Sequence, residues 1–332
     1  MIKAIVPFLI AIFFSVHLSA QNTNDSSGKS QKSSDTSIFS QNNKESSILV
    51  GKKVITLTEV VLNNKLNVPG FINRIKSDST FYKAFLNLHI LGYTAINDIR
   101  MLKKDGSSGA TCYSKIKQIR KNNCRSMETL EEQINGDYYT DNHQYNYYTA
   151  QMYASLFFTT GSVCGENNIV AGTQFSIDGK SGMEKHKEQL KMLFFNPGKK
   201  IKGLPFMSGK TAIYDDDMAD VYDMSIDMDD YNKTSCYIFK QTVKPGMEGK
   251  AVVDEMTTWF NDKTFEVVAR NYSLSYDAGV YDFKVQMEVQ MTHAGKYLVP
   301  SLIRYNGNWK AIFKKRERGV FTATLYDFDP NP

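Results

Sequence analysis

The side chains best suited to proton transfer near neutral pH are histidines, and beyond the first twenty positions there are four: His89, His143, His186 and His293. None stands in a catalytic pattern. The chain has no Gly-x-Ser-x-Gly elbow to present a serine nucleophile, and His186, near Glu184 and Glu188, belongs to no His-Glu-x-x-His zinc pattern. His89 adjoins an apolar stripe and reads as a core-boundary histidine. Asp227, Asp229 and Asn232 offer oxygen ligands as a calcium loop does, without the central glycine and closing glutamate of an EF-hand. Carboxylates are plentiful, but spacing along the chain does not fix spacing in space, so a glycosidase pair stays open. The leading expectation is a protein that is not an enzyme and uses no metal or cofactor.

Two other residue sets could carry function. Cys112, Cys124, Cys164 and Cys236 are an even set, which in an oxidising compartment predicts two disulfides with three pairings open. Cys112 and Cys124 would clip one local loop, worth up to ~3 kcal/mol by the chain-entropy model. The alternative is buried free thiols acting as small hydrophobes. Tyr138, Tyr139, Tyr145, Tyr147, Tyr148 and Tyr153 form an aromatic cluster. With Trp259 and Trp309 they could stack on sugar rings, which makes a glycan or cell-surface binding module the second functional reading.

These residues need elements to hold them, and one element is written plainly. From Tyr281 to Met291 apolar and polar residues alternate without a break. Side chains on a strand point to opposite faces in turn, so Tyr281, Phe283, Val285, Met287, Val289 and Met291 share one apolar face. Methionines on such a face adapt to variable partners, and these six residues are the candidate ligand-binding set. Further segments from Ser235 onward read as strands joined by short turns: Cys236–Val243, Val252–Phe260, Thr264–Tyr276, Tyr297–Tyr305, Trp309–Phe313 and Val320–Phe328. That is the mark of an antiparallel meander. Upstream, Phe71, Ile72 and Ile75 repeat at helical spacing, as do Phe81, Phe85 and Leu88 after an N-cap signal at Asp78-Ser-Thr. Tyr93–Leu102 predicts a strand, Tyr113–Leu130 a surface helix or ordered loop, Leu156–Thr160 and Gln174–Ile177 strands, and Met183–Phe195 a helix.

The first twenty residues read as a secretory signal: Lys3, an apolar run to Val16, then Ser19 and Ala20 before Gln21. The run is shorter than the ~20 residues of a spanning helix, so no transmembrane span is expected after cleavage. Residues 21–47 are dominated by Ser, Asn, Gln, Lys and Asp and predict a disordered polar linker. A single folded domain then spans 48–328, in a periplasmic or secreted protein. Without Lys3 the chain has 39 basic residues against 35 acidic ones, which removes the electrostatic case for nucleic acid. The charges are uneven: Asp215–Asp230 holds eight aspartates, and Lys310–Arg318 five basic residues with one Glu.

From Ser235 to Arg270 the run Cys-Tyr-Ile-Phe-Lys, then Pro-Gly, then Met-Thr-Thr-Trp-Phe-Asn-Asp-Lys-Thr resembles the lipoprotein-carrier (LolA-like) half-barrel superfamily. N-terminal helices feeding a long meander strengthen the likeness, which extends over about the last hundred residues. The resemblance implies an α+β fold, a large curved antiparallel sheet covered by N-terminal helices. It also implies a noncatalytic pocket for an apolar, lipid-like or lipoprotein acyl ligand, with an envelope protein partner to receive it. An envelope hydrolase is the third reading.

Overall fold

The computed structural model describes residues 46–170, 192–201, 207, 209–279, 281–311 and 315–330. The expected signal, most of the polar linker and the strand at Gln174–Ile177 lie outside these residues. Of the helix expected over Met183–Phe195, residues 192–195 are described and are helical. Strand β1 (Ser46–Val50), two residues ahead of the expected domain start, forms a hairpin with β2 (Lys53–Leu57). Three helices follow: α1 (Glu59–Asn63), α2 (Val68–Ser77) and α3 (Thr80–Asn87). Helix α2 begins where Asn67 accepts a hydrogen bond from the Gly70 amide at 3.1 Å, with a proline in the first turn. It buries Phe71, Ile72 and Ile75, the expected stripe; α3 buries Phe81 and Phe85.

Strand β3 (Gly92–Leu102) lies where the sequence puts it, but Tyr113–Leu130 is no helix. It belongs to a long hairpin, β4 (Ser108–Lys121) with β5 (Cys124–Asn135). Asn122 and Asn123 turn it with φ of 53° and 59°, the pair of left-handed residues a two-residue hairpin needs. The alternation is hidden because β4 turns Ser114 and Gln118 inward beside Cys112 and Ile116. Gln118 is satisfied there, donating to the carbonyls of Leu88 and Leu91 at 2.6 and 2.7 Å. The expected strand at Leu156–Thr160 is also overturned. Those residues close helix α4 (Tyr148–Phe157), ahead of β6 (Ser162–Cys164).

The C-terminal meander is β7 (Tyr222–Tyr231), β8 (Thr234–Val243), β9 (Val253–Asn261), β10 (Val267–Asp277), β11 (Tyr281–Ala294), β12 (Tyr297–Ala311) and β13 (Glu317–Asp329). Asn306-Gly307 does not divide β12, although its sequence signals a turn. A side chain at Gly307 would sit 2.3 Å from the Tyr305 hydroxyl, so the glycine makes room for that folded-over ring.

The thirteen strands of the described residues join one unclosed sheet in the order β1-β2-β7-β8-β9-β10-β11-β12-β13-β3-β4-β5-β6. Every neighbouring pair is antiparallel except β2–β7, which is parallel. The fold is an α+β half-barrel. Its helices cover the inner face for a topological reason: β2 lies beyond β7 and β3 beyond β13, so α1–α3 must cross the hollow between them. Phe71 of α2 packs its ring against Tyr237, Phe239, Phe260 and Phe265 at 5.4–6.0 Å. Asn87 of α3 donates to the Leu298 carbonyl at 2.7 Å, and Tyr153 of α4 packs on Phe321 at 4.8 Å.

Candidate ligand-binding site

The strand face singled out by sequence points into the core. Phe283, Val285, Met287 and Val289 are buried and Met291 is half-buried. Tyr281 pairs with Ala311 through its backbone, and its side chain lies outside the described residues. Phe283 stacks on Trp309 at 4.7 Å. A void of about 20 Å³ lies on this face beside Met287, Ile303 and Phe321, room for about one water molecule.

A larger cavity adjoins it. About 250 Å³ opens between α3, the 3₁₀ turn at Leu88–Ile90, α4 and the β5–β6 end of the sheet. Its walls are apolar: Phe85, Leu88, Tyr93, Phe158 and Met192, with Leu156, Phe157 and Phe195 shared with the void at Met287. Phe195 stacks on Phe85 at 4.3 Å and meets Phe157 edge-on at 5.9 Å, so these rings partition the hollow.

One end of the cavity is charged. The Arg125 guanidinium holds the Glu166 carboxylate through Nε and Nη2, the second bond 3.1 Å long, and donates to Gln118 at 3.2 Å and to Thr159. His89 Nδ1 lies 3.4 Å from the same carboxylate, and Arg120 donates to the carbonyl oxygens of His89 and Glu166. Burial alone would raise the Glu166 carboxyl pKa. The Arg125 hydrogen bond and the positive field of His89, Arg125 and Arg120 outweigh it and hold that pKa below the ordinary value.

Sequence spacing gives no hint that residues 125 and 166 meet. The Cys124–Cys164 disulfide brings them together, bonding β5 to β6 one residue before Arg125 and two before Glu166. The expected clip between Cys112 and Cys124 is therefore corrected, as is the expected second disulfide. Cys112 points inward from β4, Cys236 lies on the face of β8 opposite to Tyr237 and Phe239, and both are buried free thiols, with burial raising them to about 12 and about 11.

Ser155, His89 and Glu166 all line the cavity, the residue types of an acyl-transfer triad. The Ser155 hydroxyl, however, donates to the Met152 carbonyl of its own helix at 2.7 Å. Among the described residues no cluster of three metal-ligating side chains occurs. Of the six tyrosines, Tyr138 and Tyr153 are buried, Tyr138, Tyr139 and Tyr145 pack on one another at 4.9–5.9 Å, and Tyr148 is exposed. Among the described residues the ion pairs of the acidic segment do not reach the basic one. Asp215 pairs with Lys200 at 3.2 Å and Asp216 approaches Lys53 at 3.7 Å, while Arg316 pairs with Asp282.

The molecule is thus a half-barrel with an amphipathic cavity at one end of its helical cover. No protein-family model and no curated protein sequence matches the chain. Among solved structures it is similar to a DUF1329 family protein from Desulfovibrio piger, at 12% identity over 76% of this chain and 95% of that one, with a TM-score of 0.23. It is also similar to a putative outer membrane lipoprotein-sorting protein domain from Vibrio parahaemolyticus, at 8% identity over 78% and 90% of the two chains, with a TM-score of 0.26. Both superpositions are loose, and the half-barrel rests on the strand register of this chain.

Proposed function

We propose that this chain is an exported, noncatalytic binding protein that holds an apolar, lipid-like ligand in the cell envelope. The polar end of the ligand would meet Arg125, Glu166 and His89, and its apolar end would run toward Met287. The observation that carries this reading is the split lining of the 250 Å³ cavity, aromatic and aliphatic along its length and ionic at one end. That matches an amphiphile. The volume lies just under the ~300 Å³ at which ligand pockets usually begin, so a longer chain must swing Phe157 and Phe195 aside. Those rings are held by contacts of about 1 kcal/mol each, which ligand burial at ~25 cal/mol per Å² readily offsets. The disulfide fits an oxidising compartment, and transfer to an envelope partner is part of the same reading.

The test is native mass spectrometry and lipid extraction on the mature chain purified without detergent, followed by titration with a fluorescent fatty acid. A bound acyl species near one-to-one, and uptake reduced at least tenfold by Leu156→Trp with the fold intact, are expected. A clean apo mass with no uptake of the probe would overturn the reading.

A further inference from the structure

The outer face of the meander carries a second concavity, on the side of the sheet away from the helices. The register of β9 to β13 aligns two transverse rows of side chains there. One row is Thr257, Asn271, Glu288, Arg304 and Thr322; the next is Glu255, Ser273, Gln286, Asn306 and Val320. At ~4.8 Å per strand each row runs about 19 Å, and two residues along a strand set the rows about 7 Å apart. Together they line a trough of about 460 Å³.

The chemistry of the trough is specific. Its charges are matched: Arg304 bonds Glu288 at 2.7 Å, and Lys240 holds Glu255 at 3.0 Å. The remaining polar groups are neutral amides and hydroxyls on Thr257, Asn271, Ser273, Gln286, Asn306 and Thr322. Among the described residues these six make no side-chain hydrogen bond, so their donors and acceptors face the trough unused. An aromatic pair flanks it. Trp259 stands two residues beyond Thr257 on the same face, its ring 5.1 Å from that of Tyr231. The Tyr231 phenol lies within the fields of Glu288 and Arg304, which places it beside the trough.

We propose that this trough is a binding site for a short, linear, neutral oligosaccharide. A sugar chain presents hydroxyls along its length and apolar C–H faces on its rings, and the trough offers free amides and hydroxyls beside a Trp–Tyr pair. Matched charges give an anionic polymer no advantage. A peptide strand would need a free sheet edge, whereas the trough crosses strands whose main chain is paired on both sides.

The test uses cellohexaose, chitohexaose and maltohexaose with the full mature chain, read by calorimetry. Trp259 emission in a Trp309→Phe variant, which leaves one tryptophan, is the second readout. At least one sugar should bind saturably and without sensitivity to added salt. Asn271→Ala with Gln286→Ala should weaken that binding at least tenfold at unchanged melting temperature, and Asn306→Trp should abolish it. The proposal is overturned if none of the three sugars gives heat on the unaltered chain. It is equally overturned if binding survives both variants, or if added salt abolishes it. Fatty-acid uptake by the inner cavity should be unaffected by these substitutions, so the two sites stand or fall separately.

Discussion

Helix α4 walls the 250 Å³ cavity, yet nothing in its own sequence caps it: the N-cap residue Tyr147 supplies no side-chain bond. Glu317, the first residue of β13, does so from across the sheet. Its carboxylate accepts from the amides of Tyr148 at 2.9 Å and Thr149 at 2.7 Å, and from the Thr149 hydroxyl at 2.6 Å. Glu317→Ala removes an N-cap, worth about 1 kcal/mol, and a negative charge at a helix N-terminus, worth about 0.5 kcal/mol. It also strands the buried Thr149 hydroxyl at a cost of at least about 1 kcal/mol. The expected loss is about 3 kcal/mol, and about half that for Glu317→Gln, which keeps one accepting oxygen. Urea denaturation should show a lowered midpoint at unchanged m-value. Hydrogen exchange at the Tyr148 and Thr149 amides should accelerate before the rest of the sheet responds. A midpoint within about 0.5 kcal/mol of the parent, with exchange at both amides unaltered, would refute the capping role.

Replacing Cys124 and Cys164 together by serine should cost up to about 4 kcal/mol, the chain-entropy value for a separation of 40 residues. Because the bond also holds Arg125 against Glu166, fatty-acid uptake should fall more than in an equally destabilised core variant. The Glu166 carboxyl has a folded pKa below its unfolded one, so its contribution is complete above the ordinary value of ~4.3 and lost as pH falls through the folded pKa. Acid titration of the melting temperature should therefore show a step that Glu166→Gln removes. Lys199 has the same sign at the other end of the pH scale. Burial lowers its ammonium to about 8, so the unfolded chain binds the extra proton between pH 8 and the ordinary value of 10.5, and stability should rise across that window. Lys199→Met should flatten that rise, as read from urea midpoints at each pH.

The meander was legible because each of its strands buries apolar residues on one face and exposes polar ones on the other, as in Lys284, Gln286 and their neighbours Val285 and Met287. Where that contrast fails, reading fails. β4 hides Ser114 and Gln118 inside, their polar groups satisfied by partners far away in sequence, so local pattern points outward. In α4 the aromatic density of Tyr148, Tyr153 and Phe157 resembles a strand, and the carboxylate that starts the helix comes from position 317. The apolar strand face was identified, but its packed state depends on α4 and residues 192–195, which no property of β11 announces. The ionic end of the cavity was missed for a related reason. His89, Arg125 and Glu166 look ordinary singly, and the one usable signal was that Arg125 and Glu166 each closely follow a cysteine.

The place of β13 in the sheet has a consequence for how the molecule comes into being. The last of the described strands is not at the margin: it lies between β12 and β3, pairing Tyr326 with Thr94 across more than two hundred residues. During synthesis the hairpins on the β3 side have no neighbour to join until β13 has emerged. Contacts so distant in sequence make assembly slow and leave two unfinished edges open meanwhile. A stop codon a few residues upstream of Glu317 would not fray an end. It would divide the sheet in two and remove the cap from α4 in the same stroke.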